Sequence, residues 1–160
     1  LPWLEKLDAI PGDKHCELKL GVKKVDGRLC ACDFFDSSVW FRGVADLVII
    51  DGDRAWIVDY KTSKSSRYAD KKQLELLSLL TFKHFPQIKT VKAGLMFLVV
   101  EDLVPAEFNA DQQTEAWGRW IPETNQLESA MITDVWNPRP NFTCRGWCPV
   151  TDCEHNSKRN

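Results

Sequence analysis

The sequence predicts an α/β domain with a mixed central β-sheet flanked by helices. Three observations lead there. Four segments of strand length, alternating or apolar, lie before residue 61, and a fifth covers Val91–Val100. Two segments, Asp70–Phe85 and Asp111–Trp136, carry apolar residues at helical spacing. The strands come first, and then helix, strand and helix follow, an order that suits helices packed on one mixed sheet.

Each element has its own local signal. Residues 1–9 read as the end of a helix, stopped by Pro11-Gly12. His15–Val22 alternates and predicts a strand, with a turn at Asp26-Gly27 and a second strand over Leu29–Phe34. Phe41–Ile50 and Ala55–Tyr60 predict two more strands around Asp51-Gly52-Asp53-Arg54. In the first helix Leu74, Leu77 and Leu80 recur at helical spacing, Asp70 can cap the start with Gln73 three residues on, and Pro86 ends it. In the second, Pro122 marks a kink or a new start. Trp117, Trp120 and Trp136 are expected on one helical face as core packing, and His84 in a structural or solvated place.

Composition bounds what such a domain can do. The chain has 160 residues, 44% hydrophobic and 28% charged, enough to bury a core and unlike a disordered chain or coiled coil. The longest apolar run, Ala93–Val100, is far too short to span a membrane, so no membrane partner is expected. A net charge of −2 is not that of a polycation that coats nucleic acid by charge alone. The chain begins Leu1-Pro2-Trp3 without an initiator Met or a signal-peptide pattern, which reads as a processed piece. Its expected division is a core over residues 1–136 and a cysteine-containing tail over 137–160 packed on it.

The chemistry concentrates in the hairpin Gly43-Val44-Ala45-Asp46 and Ile57-Val58-Asp59-Tyr60-Lys61. A two-residue Gly52-Asp53 loop pairs Asp51 with Arg54 and puts Asp46 directly across from Asp59. If the loop is Asp51-Gly52 instead, the two acids become diagonal neighbours on the same face. Lys61 shares that face in either case. Opposed carboxylates about 5 Å apart repel, and burial among Val44, Val48, Ile50 and Ile57 raises the cost. A hard divalent cation such as Mg²⁺ resolves the conflict, and Lys61 beside it can orient water or offset charge on a phosphate.

These residues resemble a known family. Phe41-Arg42-Gly43-Val44-Ala45-Asp46, then Asp59-Tyr60-Lys61-Thr62-Ser63, then Gln73-Leu74 are similar, in order and spacing, to the RecB-like branch of the PD-(D/E)XK nucleases. The resemblance covers about residues 15–100 and implies a restriction-endonuclease-like core. It implies that Asp46, Asp59 and the Tyr60 backbone carbonyl hold Mg²⁺ or Mn²⁺, that Lys61 positions the water, and that Gln73 contacts the scissile strand or supports the site. Glu17 falls where many members carry an auxiliary acid. Ser63 stands where the family has Gly, and Leu77 where it often has Tyr, so one polar contact is expected to be missing. The branch also carries an upstream helix with a His, which this sequence does not show.

Between Lys61 and Lys72 lie Lys61, Lys64, Arg67, Lys71 and Lys72 against the single acid Asp70, a run suited to phosphates. Tyr68 in the same loop can stack on a base. Without a base-reading motif, the expected partner is DNA bound in a sequence-tolerant way, at ends or as single strands. The expected function is a metal-dependent DNA exonuclease of recombination, repair or phage DNA metabolism in the cytoplasm, with a recombination or replication protein as a further partner. The alternative is a nuclease-like binding or docking module without its own activity. Cys144, Cys148 and Cys153, followed by His155, resemble the three-cysteine portion of the iron–sulfur cluster that closes several RecB-like nucleases. A zinc site, reduced thiols and a disulfide remain open for the same residues.

Overall fold

The structure is a computed structural model and describes residues 2–67 and 69–156. Helix α1 (Pro2–Asp8) leads into β1 (Asp13–Val25), β2 (Arg28–Cys32), β3 (Phe41–Asp51) and β4 (Arg54–Lys61). Helix α2 (Lys72–His84) then connects to β5 (Thr90–Phe97) and β6 (Asp102–Asn109), and α3 (Gln113–Thr133) follows a short 3-10 turn. The strands form one sheet in the order β2-β1-β3-β4-β5-β6. All neighbours are antiparallel except β4 and β5. That exception follows from α2, because parallel neighbours need a crossover of a dozen or more residues while antiparallel ones need only a hairpin. The fold is therefore the mixed α/β arrangement that the element order predicts.

The chain divides into two compact units, residues 1–119 and 120–160. In the first, α2 buries Leu74, Leu77, Leu80 and Phe82, while Val48, Ile57, Val91 and Leu95 are buried in the sheet. A second apolar cluster gathers Leu47, Ile49, Val58 and Met96, with Trp3, Leu7 and Ile10 of the first helix and its exit packed against it. Both faces of the central strands are thus apolar, as expected of strands buried on two sides.

Gly43 sets how closely α2 lies on β3. A Cβ at this position would sit 3.1 Å from both the Leu77 and the Leu80 side chains. Any larger side chain lifts the helix, and Gln73 one turn earlier moves with it. Gly43→Val is expected to cost about 1–3 kcal/mol, the usual range for overpacking a core, read from the urea midpoint, with Gly43→Ala much milder.

The connection between β2 and β3 is held by charge. Asp36 accepts Lys23 Nζ at 2.8 Å, the Ser38 backbone N–H at 2.8 Å and the Ser38 hydroxyl at 2.7 Å. The hydrogen bond from Lys23, followed by those from Ser38, holds the Asp36 carboxyl well below the usual carboxylate range. A depressed carboxyl stabilises the fold above its ordinary value near pH 4 and loses that contribution as pH falls through its folded value. The urea midpoints of wild type and Asp36→Asn should therefore differ at pH 5, and the difference should shrink steadily as pH falls below about 4.

Several expectations need correction. Strand β6 has no counterpart in the sequence reading, because Pro105 and the polar Asp102, Glu107 and Asn109 break its apolar pattern. Pro and charge are tolerated there because β6 is an edge strand. β5 ends at Phe97, and the apolar Leu98, Val99 and Val100 are exposed beyond it. The α2 cap is Lys71 without a side-chain bond, while Asp70 accepts the Lys72 N–H at 2.9 Å. Pro122 lies inside a continuous α3, and Trp136 lies past its end and is exposed, unlike the buried Trp117. His84 is structural, its Nε2 meeting the Gly21 backbone oxygen at 2.7 Å and nitrogen at 3.1 Å.

Candidate active site

The hairpin of β3 and β4 positions the acidic pair. Asp51 pairs with Arg54 across a Gly52-Asp53 loop, and Gly52 takes the positive φ of 59° that such a tight turn requires. The ladder runs from there to Leu47 opposite Val58 and stops. One more step in this register sets Asp46 opposite Asp59. In place of a ladder bond, the Asp46 carboxylate accepts the Tyr60 backbone N–H at 2.8 Å. The β1 pairing also skips Asp46, with Cys16 opposite Leu47 and Leu18 opposite Ala45 but no pair between. Glu17 sits in that gap with a φ of 52°, a left-handed backbone that non-glycine residues rarely adopt. The sheet thus opens around Asp46 on both sides.

Asp59 is the buried member of the pair, with only 4% of its surface exposed. Its Oδ2 lies 2.6 Å from the Lys61 ammonium, and its Oδ1 accepts Gln73 Nε2 at 2.5 Å. Lys61 in turn donates to Gln73 Oε1 at 2.8 Å. Carboxylate, ammonium and amide close a triangle, with β4 supplying two corners and the first turn of α2 the third. The Lys61 contact to Asp59 is one of charge, and Oδ2 remains a buried oxygen without a hydrogen-bond partner. Beside them, burial pushes the Tyr60 phenol up, with Cys16 and Asp46 adding to the shift.

This donor set fits a hard divalent cation. Asp46, Asp59 and the Tyr60 carbonyl offer oxygen ligands, few in number, as Mg²⁺ prefers when it keeps several waters. Asp59 Oδ2 is buried and needs a counter-charge. Lys61 supplies one, and at 33% exposure its ammonium also reaches solvent, where a phosphate or a water can meet it. Among the described residues no three His, Cys, Asp or Glu side chains gather into a metal cage. Any ion here completes its shell with water or substrate.

The family model of the PD-(D/E)XK nuclease superfamily matches residues 5–153. The chain belongs to the PD-(D/E)XK nuclease superfamily. No curated protein matches it. Among solved structures it is similar to one titled "Crystal structure of SSO0001", at 19% identity and a TM-score of 0.46. That match covers 92% of this chain, which spans 66% of the other chain's length.

The remaining expected residues fall in three places. Glu17 is exposed and does not join Asp46 and Asp59 in a cluster of three acids. Lys64 lines a cleft of about 460 Å³ together with Lys61, Gln73, Ala69, Leu95 and Phe97. Arg67, Lys71 and Lys72 are exposed on the same connection but outside that lining. Tyr68 lies outside the described residues. Leu77, where the resemblance leads one to expect Tyr, is buried over Gly43 and serves packing. Leu95 and Phe97 were not singled out from the sequence. Their signal is the parallel register, which sets Leu95 beside Asp59 and Phe97 beside Lys61.

The C-terminal unit is organised by side-chain amides. Asn141 accepts the Thr143 N–H at 2.9 Å, and the buried Asn156 donates to the Cys148 and Val150 carbonyls at 3.2 and 2.8 Å. Cys144, Cys148 and Cys153 are half-buried free thiols. They do not converge with one another or with His155 into the ligand set that an iron–sulfur or zinc site needs. No helix among the described residues is long and apolar enough to cross a membrane.

Proposed function

We propose that the chain is a Mg²⁺- or Mn²⁺-dependent deoxyribonuclease that hydrolyses phosphodiester bonds at DNA ends or in single strands. The observation that carries this reading is the convergence of Asp46, Asp59, Lys61 and Gln73 at the point where the sheet opens. Membership of the nuclease superfamily supports the reaction class. The order of the motifs, similar to RecB-like nucleases, supports DNA processing in recombination, repair or phage replication.

Each residue has a role that its surroundings suit. Asp46, Asp59 and the Tyr60 carbonyl hold the cation. Bound there, the cation supplies Lewis acidity at the phosphate and makes water a stronger acid. The Tyr60 N–H keeps the Asp46 carboxylate aimed at the site. Lys61, no longer needed as counter-ion to Asp59, orients the attacking water and offsets negative charge as it grows on the phosphate. Gln73 holds the Asp59 and Lys61 side chains in register through one amide. Water attacks phosphorus and gives up one proton to solvent, one P–O ester bond breaks, and the departing sugar oxygen takes up one proton from solvent. The exposed Lys64, Arg67, Lys71 and Lys72 then meet the flanking phosphates without reading bases.

End-labelled single- and double-stranded DNA, incubated with Mg²⁺, Mn²⁺ or EDTA, tests the reading. The expected result is metal-dependent loss of label from the ends of the strand and none in EDTA. A chain that binds these DNAs but cleaves none of them in either metal is a binding module.

A further inference from the structure

A second cluster lies away from the acidic pair, where the connection from β2 to β3 passes over β1. Phe34 and Phe35 meet edge to face, with ring centroids 5.0 Å apart at 80°. Lys19 Nζ stands 5.1 Å from the Phe35 ring and 5.9 Å from the Phe34 ring. The Arg42 guanidinium lies 5.0 Å over Phe34 and donates to the Phe34 carbonyl at 3.3 Å. Phe35 nevertheless leaves 70% of its surface in water. The cluster opens onto a cleft of about 500 Å³ whose lining includes Lys19, Phe34, Phe35 and His84.

This exposed ring is held in place. Asp33 Oδ1 accepts the Phe35 N–H at 2.8 Å, and the Asp36 N–H donates to the Asp33 carbonyl at 3.1 Å. On the other side Asp36 is pinned to Lys23 and Ser38, and the Trp40 N–H donates to Val22 on β1 at 2.8 Å. A ring on a backbone held in this way costs less entropy to use, and Lys19 beside it with Arg42 over the adjoining Phe34 suits the phosphates near a stacked base. One ring is too little area for a protein interface, which needs about 800 Å² from each partner.

The place of the cluster fits a strand that ends at the acidic pair. Arg42 precedes Asp46 by four residues on β3, about 13 Å of strand. His84, at the edge of the cleft, is separated from Gln73 by the length of α2, about 16 Å.

We propose that Phe35, with Lys19 beside it and Arg42 on the adjoining Phe34, is a stacking platform for an unpaired base of the strand whose phosphate is held at Asp46 and Asp59. The proposal rests on the nuclease reading and names its substrate as a strand with unpaired bases. The test uses a twelve-nucleotide single strand with 2-aminopurine at successive positions, bound in EDTA so that no turnover occurs. Wild type should quench the fluorophore at one internal position. Phe35→Ala should lose that quench and bind about tenfold more weakly, the low-to-middle range for one stacked base. Phe35→Trp should restore both, and circular dichroism should report the same fold for all three.

Equal binding and equal quench in Phe35→Ala would overturn the platform, as would a wild type that does not bind the single strand. A loss confined to Lys19→Gln would also overturn it, because that pattern is charge without stacking. The nuclease reading fails separately, by absence of cleavage in Mg²⁺ and Mn²⁺ while the quench persists.

Discussion

Asp59→Asn is expected to lower phosphodiester cleavage about 10³-fold, the scale of removing one strong electrostatic element from an active site. The substitution is nearly isosteric, so Gln73 still finds an acceptor, and the fold should survive. What disappears is the buried negative charge, whose Oδ2 lies 2.6 Å from the Lys61 ammonium. Single-turnover cleavage of a labelled oligonucleotide, with circular dichroism as the folding control, checks both halves of the claim. A variant that keeps wild-type cleavage removes Asp59 from the chemistry.

Lys61→Met is expected to separate three effects that a simple loss of activity would merge. Met keeps the apolar stem and removes the charge. Cleavage should fall about 10²–10³-fold, because the ammonium is no longer there to orient water. Without metal, the protein should also lose stability, since Asp59 stays buried without a counter-charge. Breaking a fully buried pair costs several kcal/mol, but Lys61 is 33% exposed and Gln73 stays bound to Asp59, so about 1–2 kcal/mol is expected. Third, divalent cations should bind the variant more tightly than wild type, because Lys61 no longer competes for Asp59. Thermal melts with and without Mn²⁺ read the last two together: a lower Tm without metal, and a larger rise on adding it. Equal melting behaviour in both proteins would show that Lys61 is not the counter-ion of Asp59.

The site was legible in the sequence because a hairpin register follows from few residues. Gly52-Asp53 fixes the loop, the loop fixes which residues oppose as far as Leu47 and Val58, and alternation puts Asp59 and Lys61 on one face. The contact from Gln73 needed more, since it depends on how closely α2 approaches the sheet, and that is set by Gly43 below Leu77 and Leu80. A pattern search sees the glycine, while only packing explains it.

What was not legible has physical causes as well. β6 escapes because an edge strand is free to carry Pro105 and charged residues that a central strand excludes. The end of β5 was overextended because Leu98, Val99 and Val100 continue the apolar run, although the chain turns there and exposes them. Glu17 kept its place in the register but has a left-handed backbone, which no residue type at that position announces. The aromatic cluster at Phe34 and Phe35 joins residues from two strands and a connection, so no linear motif marks it.

The central proposal is a divalent-cation site at Asp46 and Asp59, with Lys61 as the counter-ion of Asp59 when no cation is bound. Electron paramagnetic resonance of Mn²⁺ titrated into the wild type, Asp46→Asn and Asp59→Asn measures that most directly. One protein-bound ion is expected in wild type, with at least about tenfold weaker binding in each variant. Binding of Mn²⁺ that is unchanged by both substitutions would contradict it.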